Sequence, residues 1–269
     1  MPGRGHSGRL GNSGARRNFW KNPRSAHGGL HARNRHNSVK SNPKLSIIIP
    51  MLNERRALPA LLENLARLEG ASHEVIFADG GSADGSRELA AKSGFRLADA
   101  PRGRARQMNA GAAAASGEVL LFLHADSRLP KDCEALIFST LERENCAAGC
   151  FRLRFDMRHP LMKICAFMST FRVKHRQIAF GDQGIFVKKT LFDKLGGFPD
   201  IPLMEDYRFS ETLARETKIA VADGYIETSA RRFTDGGMLR TMWKMQKIQY
   251  LYRKGVAPEE LLKLYRDVR

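Results

Sequence analysis

Three short apolar runs, rich in β-branched residues, recur in the first half of the chain, and each runs into a polar residue. Leu45-Ser46-Ile47-Ile48-Ile49 stops at Pro50, Glu74-Val75-Ile76-Phe77-Ala78 stops at Asp79, and residues 118–123 run into His124-Ala125-Asp126. Apolar runs of this length without alternation are the mark of strands buried on both faces. Helical patterns separate them: Leu58, Leu61, Leu62 and Leu65 after the first run, a stretch through about Lys92 after the second, and the alanine-rich residues 104–115 before the third. Phe95-Arg96-Leu97 reads as a further short strand, and Asn53 is placed to cap the first helix with Glu54 in its first turn. Strand and helix alternating at this interval mean βαβ units, hence an α/β fold with a mostly parallel central sheet flanked by helices. Such sheets bind ligands beyond the carboxyl ends of their strands. Pro50/Asn53, Asp79 and Asp126 all fall there. One polar residue at a strand end is an ordinary turn or cap; three converging on one edge mark a site.

After about residue 145 the pattern loosens. Residues 150–156, 184–187 and 219–222 read as strands. Residues 160–173 form an apolar, Met-rich helix, more often core than surface, and residues 189–195 another helix. Glu205-Asp206 opens a helix to about Arg215, and residues 237–253 make a basic amphipathic helix, followed by a short helix from Pro258. The expected organisation is a tail over 1–43 and one domain over 44–269, with a nucleotide-sugar-type half at about 44–130 and a second half at about 145–269.

Charge has to be located before it is interpreted. The chain carries 45 Lys+Arg against 28 Asp+Glu, a net +17, which by itself points to a polyanion. Nine of those basic residues, and no acid, lie in the Gly-, Ser- and Asn-rich residues 1–43. That composition predicts disorder, with a start of translation nearer Val39 as an open alternative. The surplus left on the folded part is modest, so no specific nucleic-acid partner is expected. Four cysteines without a C-x-x-C read as reduced thiols, and no apolar run approaches the ~18 residues of a spanning helix.

The ordered segments Ser46-Ile47-Ile48-Ile49-Pro50-Met51-Leu52-Asn53-Glu54, Asp79-Gly80-Gly81-Ser82-Ala83-Asp84-Gly85-Ser86, His124-Ala125-Asp126 and Glu205-Asp206 resemble the family-2 glycosyltransferases of GT-A fold. Residues 103–111 and Phe180-Gly181-Asp182-Gln183-Gly184 look like one bacterial subgroup of them, associated with radical-SAM/selenodomain proteins. The resemblance runs from about residue 45 to the end. It implies a Rossmann-like nucleotide-sugar fold and inverting transfer of a sugar from a nucleoside diphosphate donor, most often UDP-linked, to a hydroxyl acceptor. In that reading Pro50, Asn53 and Glu54 line the nucleoside end of the cleft, Asp79 accepts from the base, and Gly80 permits close backbone approach. Ala125 belongs to the same donor edge, Asn109 faces the cleft, and Asp182 and Gln183 contact donor or acceptor sugar. Arg104 and Arg232 reach the donor, with surface exposure as the rival reading for each.

The resemblance further implies a divalent cation, Mn2+ or Mg2+, on Asp126. The family pattern is Asp-x-Asp, and here its first member is His124, which suits manganese better than magnesium. Ligation and a hydrogen-bonded strand end remain equal alternatives for His124. Of the acid pair, Asp206 is the implied general base, with Glu205 second. A cytoplasmic protein is expected, with peripheral contact between the basic helix at 237–253 and an anionic membrane as an open option that would suit a lipid-linked acceptor; the apolar helix at 160–173 raises the same option beside its core reading. A sugar nucleotidyltransferase is disfavoured because Pro50-Met51-Leu52-Asn53-Glu54 stands where such enzymes carry a Gly- and Arg-rich loop.

Overall fold

The computed structural model describes residues 44–266; the basic stretch 1–43 lies outside them. The chain runs β1 (Leu45–Met51), α1 (Leu58–Leu65), β2 (His73–Asp79), α2 (Ser86–Lys92), β3 (Arg96–Asp99), α3 (Arg104–Ala114) and β4 (Val119–Phe122). It continues with β5 (Ser127–Arg128), α4 (Cys133–Arg143), β6 (Ala148–Phe155), α5 (Pro160–Arg176), a 3-10 turn (Gly181–Gln183) and β7 (Ile185–Lys188). The remainder is α6 (Lys189–Lys194), α7 (Glu205–Glu216), β8 (Ile219–Thr228), α8 (Arg231–Gly236), α9 (Met238–Arg253) and α10 (Pro258–Arg266).

All eight strands join one sheet in the order β3-β2-β1-β4-β7-β6-β8-β5. The first four are parallel neighbours; β7 runs antiparallel to both β4 and β6, β8 is parallel to β6, and β5 closes the edge antiparallel to β8. The sheet is therefore mixed, with the parallel part confined to the sequence that showed βαβ alternation. Strand order reverses at β1, whose neighbours are β2 and β4. That is where the carboxyl ends diverge and leave a crevice.

The pleat of β1 explains its composition. Leu45, Ile47, Ile49 and Met51 point into an apolar cluster with α1, α2 and α4, while Ile48 points into a second cluster with α3, α6 and α7. The lone polar member, Ser46, is buried but satisfied: its hydroxyl donates to Glu74 at 2.7 Å and accepts from the Gly117 N–H at 2.9 Å. A third cluster joins Ile178, Leu203, Met204 and Tyr207 to Ile248, Leu261 and Tyr265, and so fastens α9 and α10 beside α7.

Several expectations shift. Asn53 does not cap α1, which starts at Leu58, because Asn53 sits in the left-handed region at φ 58° and its side chain bonds the next loop instead. Helix α4 and strand β5 had no expectation; β5 is two residues long and exists only by pairing with β8. The short helix α8 had no expectation either, and Gly237 at its end has a positive φ of 77°.

Helix α3 approaches the sheet most closely at Gly111, where an added Cβ would run into Ile48 Cγ2. We expect Gly111→Val to cost about 1–3 kcal/mol by overpacking. Denaturant midpoints at unchanged slope would record it, and an unchanged midpoint would show that α3 has room to shift.

Candidate active site

The loops after β1 and β2 are stitched into one edge. Asn53 N–H donates to Ser82 Oγ at 3.0 Å, Asn53 Oδ1 accepts from Ala83 N–H at 2.9 Å, and Glu54 N–H donates to Ser86 Oγ at 2.8 Å. Asp79 closes the turn: its buried carboxylate accepts from the Ser82 hydroxyl at 2.6 Å and pairs with Arg87 at 3.2 Å. Gln107 of α3 clamps both strand ends, donating to the carbonyls of Met51 at 2.6 Å and Ala78 at 3.1 Å. It also packs so tightly on Gly80 that a Cβ there would lie 2.9 Å from its amide. Pro50 ends the same edge half-buried, and Ala125 is buried behind it.

One helical turn before Gln107, Arg104 begins α3 and reaches across the crevice to Glu205, the first residue of α7, at 3.2 Å. Glu205 is only 2% exposed. Burial pushes its carboxyl upward in pKa, and the Arg104 guanidinium opposes that push. The same pairing raises Arg104, which also meets the Tyr265 side chain of α10 and feels Asp206. Arg232 stacks over the other side of Tyr265, 5.3 Å from the ring centre.

Asp206 follows Glu205 and remains half-buried. Its carboxylate accepts from Gly181 N–H at 2.9 Å and from Tyr207 N–H at 2.7 Å. Gly181 leaves the space that His124 fills, because a Cβ on it would collide with the imidazole Nε2. Arg104, Met108, Phe122, His124, Glu205 and Asp206 are among the residues that enclose a cavity of about 10 Å³, room for a single water. Ordinary ligand sites start at about 300 Å³, so this cavity is far smaller than one.

Asp182 sits in the 3-10 turn with its Oδ1 buried and lacking a hydrogen-bond partner among the described residues. Burial pushes its pKa up to about 6; Arg172 and Arg232 pull it back, while Asp206 and Asp126 push it further. Three carboxyl groups thus share one electrostatic neighbourhood. Arg172 of α5 is the cation beneath them, donating to Gln183 Oε1 at 2.8 Å and to the Ile178 carbonyl at 3.1 Å.

Of the residues anticipated from the sequence, Arg104, His124, Glu205 and Asp206 line one cavity, and Asp126, Asp182 and Arg232 lie within electrostatic reach of one another there. Asn109 and Gln183 do not open onto it. The Asn109 amide is spent on both backbone groups of Phe198, at 2.8 and 2.9 Å, and Gln183 is fully buried under Arg172. Their polar capacity goes to holding loops. Arg172 and Tyr265 gave no signal in the sequence: each is an ordinary helix residue until the fold brings it here. The four cysteines are unpaired, and burial raises Cys133 and Cys150 to about 12 and Cys165 to about 11, so they are protonated and inert near neutrality.

Residues 46–196 match the Glycosyl transferase family 2 profile, more than half of the chain. The chain belongs to this family. A PGL/p-HBAD biosynthesis glycosyltransferase of Mycobacterium tuberculosis is 40% identical over 94 residues, covering 32% of this chain and 37% of the relative. A Haemophilus influenzae protein described as an uncharacterized glycosyltransferase is 30% identical over 187 residues, covering 64% and 62%. The chain thus spans less than two thirds of the length of either. Among solved structures, the mannosyltransferase PcManGT from Pyrobaculum calidifontis superposes with a TM-score of 0.60 at 20% identity, over 85% of this chain and 70% of that one. Staphylococcus aureus TarS 1-349 does so at 0.58 and 18% identity, over 70% and 60%. Both likenesses bear on the fold, the GT-A arrangement that this family-2 chain shares.

The Asp182 environment has a measurable consequence. A carboxyl raised from 3.8 to about 6 in the folded state contributes stability below about pH 4, and that contribution is lost as pH rises through 6. We expect Asp182→Asn, in chelator, to exceed the parent in stability near pH 7.5 by on the order of 1–3 kcal/mol, the gap closing toward pH 4. Urea midpoints across that range test it; a variant less stable at pH 7.5 would show that the carboxylate is stabilised, not penalised.

Proposed function

We propose that this chain is an inverting glycosyltransferase that moves a sugar from a nucleoside diphosphate sugar, UDP-linked in the first instance, to a hydroxyl acceptor. The observation that carries the reading is the division of labour in the acid pair. Glu205 is buried and committed to Arg104, whereas Asp206 is half-exposed at the cavity wall, opposite the β4 strand end. A general base must meet the acceptor hydroxyl at hydrogen-bond distance, and the Asp206 carboxylate, not paired with Arg104 as Glu205 is, supports that role. Its two backbone hydrogen bonds hold the carboxylate in orientation.

The donor would lie along the stitched edge, its nucleoside between the Pro50–Glu54 loop and the Asp79–Gly80 turn. Its diphosphate would run toward Arg104 and Arg232, with Tyr265 displaced from between those two cations. The acceptor oxygen then attacks the anomeric carbon from the Asp206 side and gives its proton to that carboxylate. The bond from the anomeric carbon to the phosphate oxygen breaks with its electron pair on the departing diphosphate. The donor class draws further support from solved proteins of this fold: TarS with UDP-GlcNAc and PcManGT with GDP-Man and Mn2+.

Burial first, and then the Asp206 and Asp126 carboxylates, raise Asp182, and a divalent cation near Asp126 would offset these effects. No three His, Cys, Asp or Glu side chains among the described residues are already gathered as a metal-holding group. That suits a hard cation completed by diphosphate oxygens and water. Asp126, with His124 beside it, would hold the ion, which when bound neutralises charge on the leaving diphosphate. Membership of the radical-SAM/selenodomain-associated subgroup is part of the proposal, carried by residues 103–111 and 180–184.

We expect Asp206→Asn to lower turnover with a screened UDP-sugar by about 10²–10⁴-fold while donor affinity, read by calorimetry, changes little. Near-parental turnover would remove Asp206 as the base. Asp126→Ala is expected to weaken donor binding in Mn2+ and to abolish the dependence of that binding on the metal.

A further inference from the structure

Helix α5, expected to be core, buries only its inner side, with Met162 and Val173 in the core clusters. Ile164, Phe167, Met168 and Phe171 are exposed at i, i+3, i+4 and i+7, one unbroken apolar stripe with Phe167 67% exposed. Helix α9 repeats the pattern: Leu239, Trp243 and Tyr250 share one face, and Trp243 is 63% exposed. Isolated surface hydrophobics are common, but aligned aromatic stripes on two helices mark an interaction surface. The inner sides of both helices rest on the same apolar cluster, Cys165 and Ala166 from α5 with Met242 and Met245 from α9.

Charge decides what meets this surface. Neither helix contains a single Asp or Glu, although the chain has 28 of them. Lys163, Lys174 and Arg176 of α5 and Arg240, Lys247 and Arg253 of α9 are exposed around the stripes. The Lys247 ammonium lies over the Trp243 ring, 5.1 Å from its centre. A second copy of the chain would bring the same cationic face and be repelled. Exposed aromatic and aliphatic side chains on helices that carry Lys and Arg and no acid match the boundary between anionic headgroups and acyl chains. No helix among the described residues is long and apolar enough to cross a bilayer.

We propose that the α5 stripe, with α9, docks this protein on the surface of an anionic lipid bilayer. The consequence for the site is direct. Phe171 precedes Arg172, which holds the turn carrying Asp182, and the segment after α5 leads to Gly181, whose N–H binds Asp206. The docking ridge therefore adjoins the acceptor side of the cavity. Taken with the proposed transferase activity, it assigns the acceptor to a membrane amphiphile that presents its hydroxyl at the interface.

The test is co-sedimentation of the full chain with vesicles of phosphatidylcholine alone or with 30 mol% phosphatidylglycerol, at low and high salt, without donor. Binding to the anionic vesicles is expected, weakened at least about tenfold in pure phosphatidylcholine or at 0.5 M salt. The triple variant Phe167→Ser/Phe171→Ser/Trp243→Ser should lose about tenfold or more with an unchanged melting temperature. Parental binding by that variant would overturn the proposal, because the basic residues 1–43, untouched by it, would then carry the interaction. Absence of binding, or a concentration-dependent dimer that the variant abolishes, would overturn it too. Asp206→Asn is expected to bind vesicles as the parent does, so failure of the transferase reading and failure of docking are separate results.

Discussion

The ion pair of Arg104 with Glu205 joins the two sides of this molecule. Glu205 is nearly out of contact with water, where a lone carboxylate would be costly, and an arginine is the one side chain certain to be charged opposite it. Arg104 opens α3, which is fixed to the parallel strands through Gln107, and Glu205 opens α7, which packs on the far part of the sheet through Phe209 and Leu213. The pair thus spans the crevice at the strand reversal. Breaking one partner of such a pair costs about 3–5 kcal/mol. Because Glu205 is committed inward, its neighbour Asp206 is the acid that lines the cavity with its carboxylate uncommitted to a cation.

Polar groups around this pair fall into two sets. Asp79, Gln107, Asn109 and Gln183 are engaged by backbone groups, the Ser82 hydroxyl or arginines and set the shape of the loops. Asp182 retains a buried oxygen without a hydrogen bond among the described residues, and Arg172 and Arg232 offset only part of its burial and of the charge on Asp126 and Asp206. A cation or a sugar hydroxyl lowers the free energy of the second set; nothing further is required by the first. Tyr265 meets both Arg104 and Arg232, the two cations that face this part of the site from α3 and α8.

Much of this was legible in the linear chain. The run Leu45 to Pro50 announced a strand buried on both faces, and β1 is one, with side chains buried in opposite clusters. Asp79 and the Glu205-Asp206 pair lie at the element ends where the pattern put them. Local pattern failed where a long-range partner decides. Strand β5 has no periodicity of its own and exists by pairing with β8, and Asn53 left its expected cap position to bond the loop after β2. The Met- and Phe-rich α5 looked like core because composition does not say which face of a helix meets the sheet.

The sequence by itself determined the parallel half of the sheet, the polar strand ends and the family, because these depend on short-range periodicity and on motifs read within a few residues. Tertiary structure alone decided which of those polar groups are used up and which stay open. Arg172 beneath Asp182, Tyr265 against Arg104 and Phe198 on Asn109 join residues ten to more than a hundred positions apart, and the outward face of α5 depends on what the rest of the fold covers. Burial, the balance of like and opposite charge, and exposed apolar area are properties of neighbourhoods in space, and they exist only once the chain has folded.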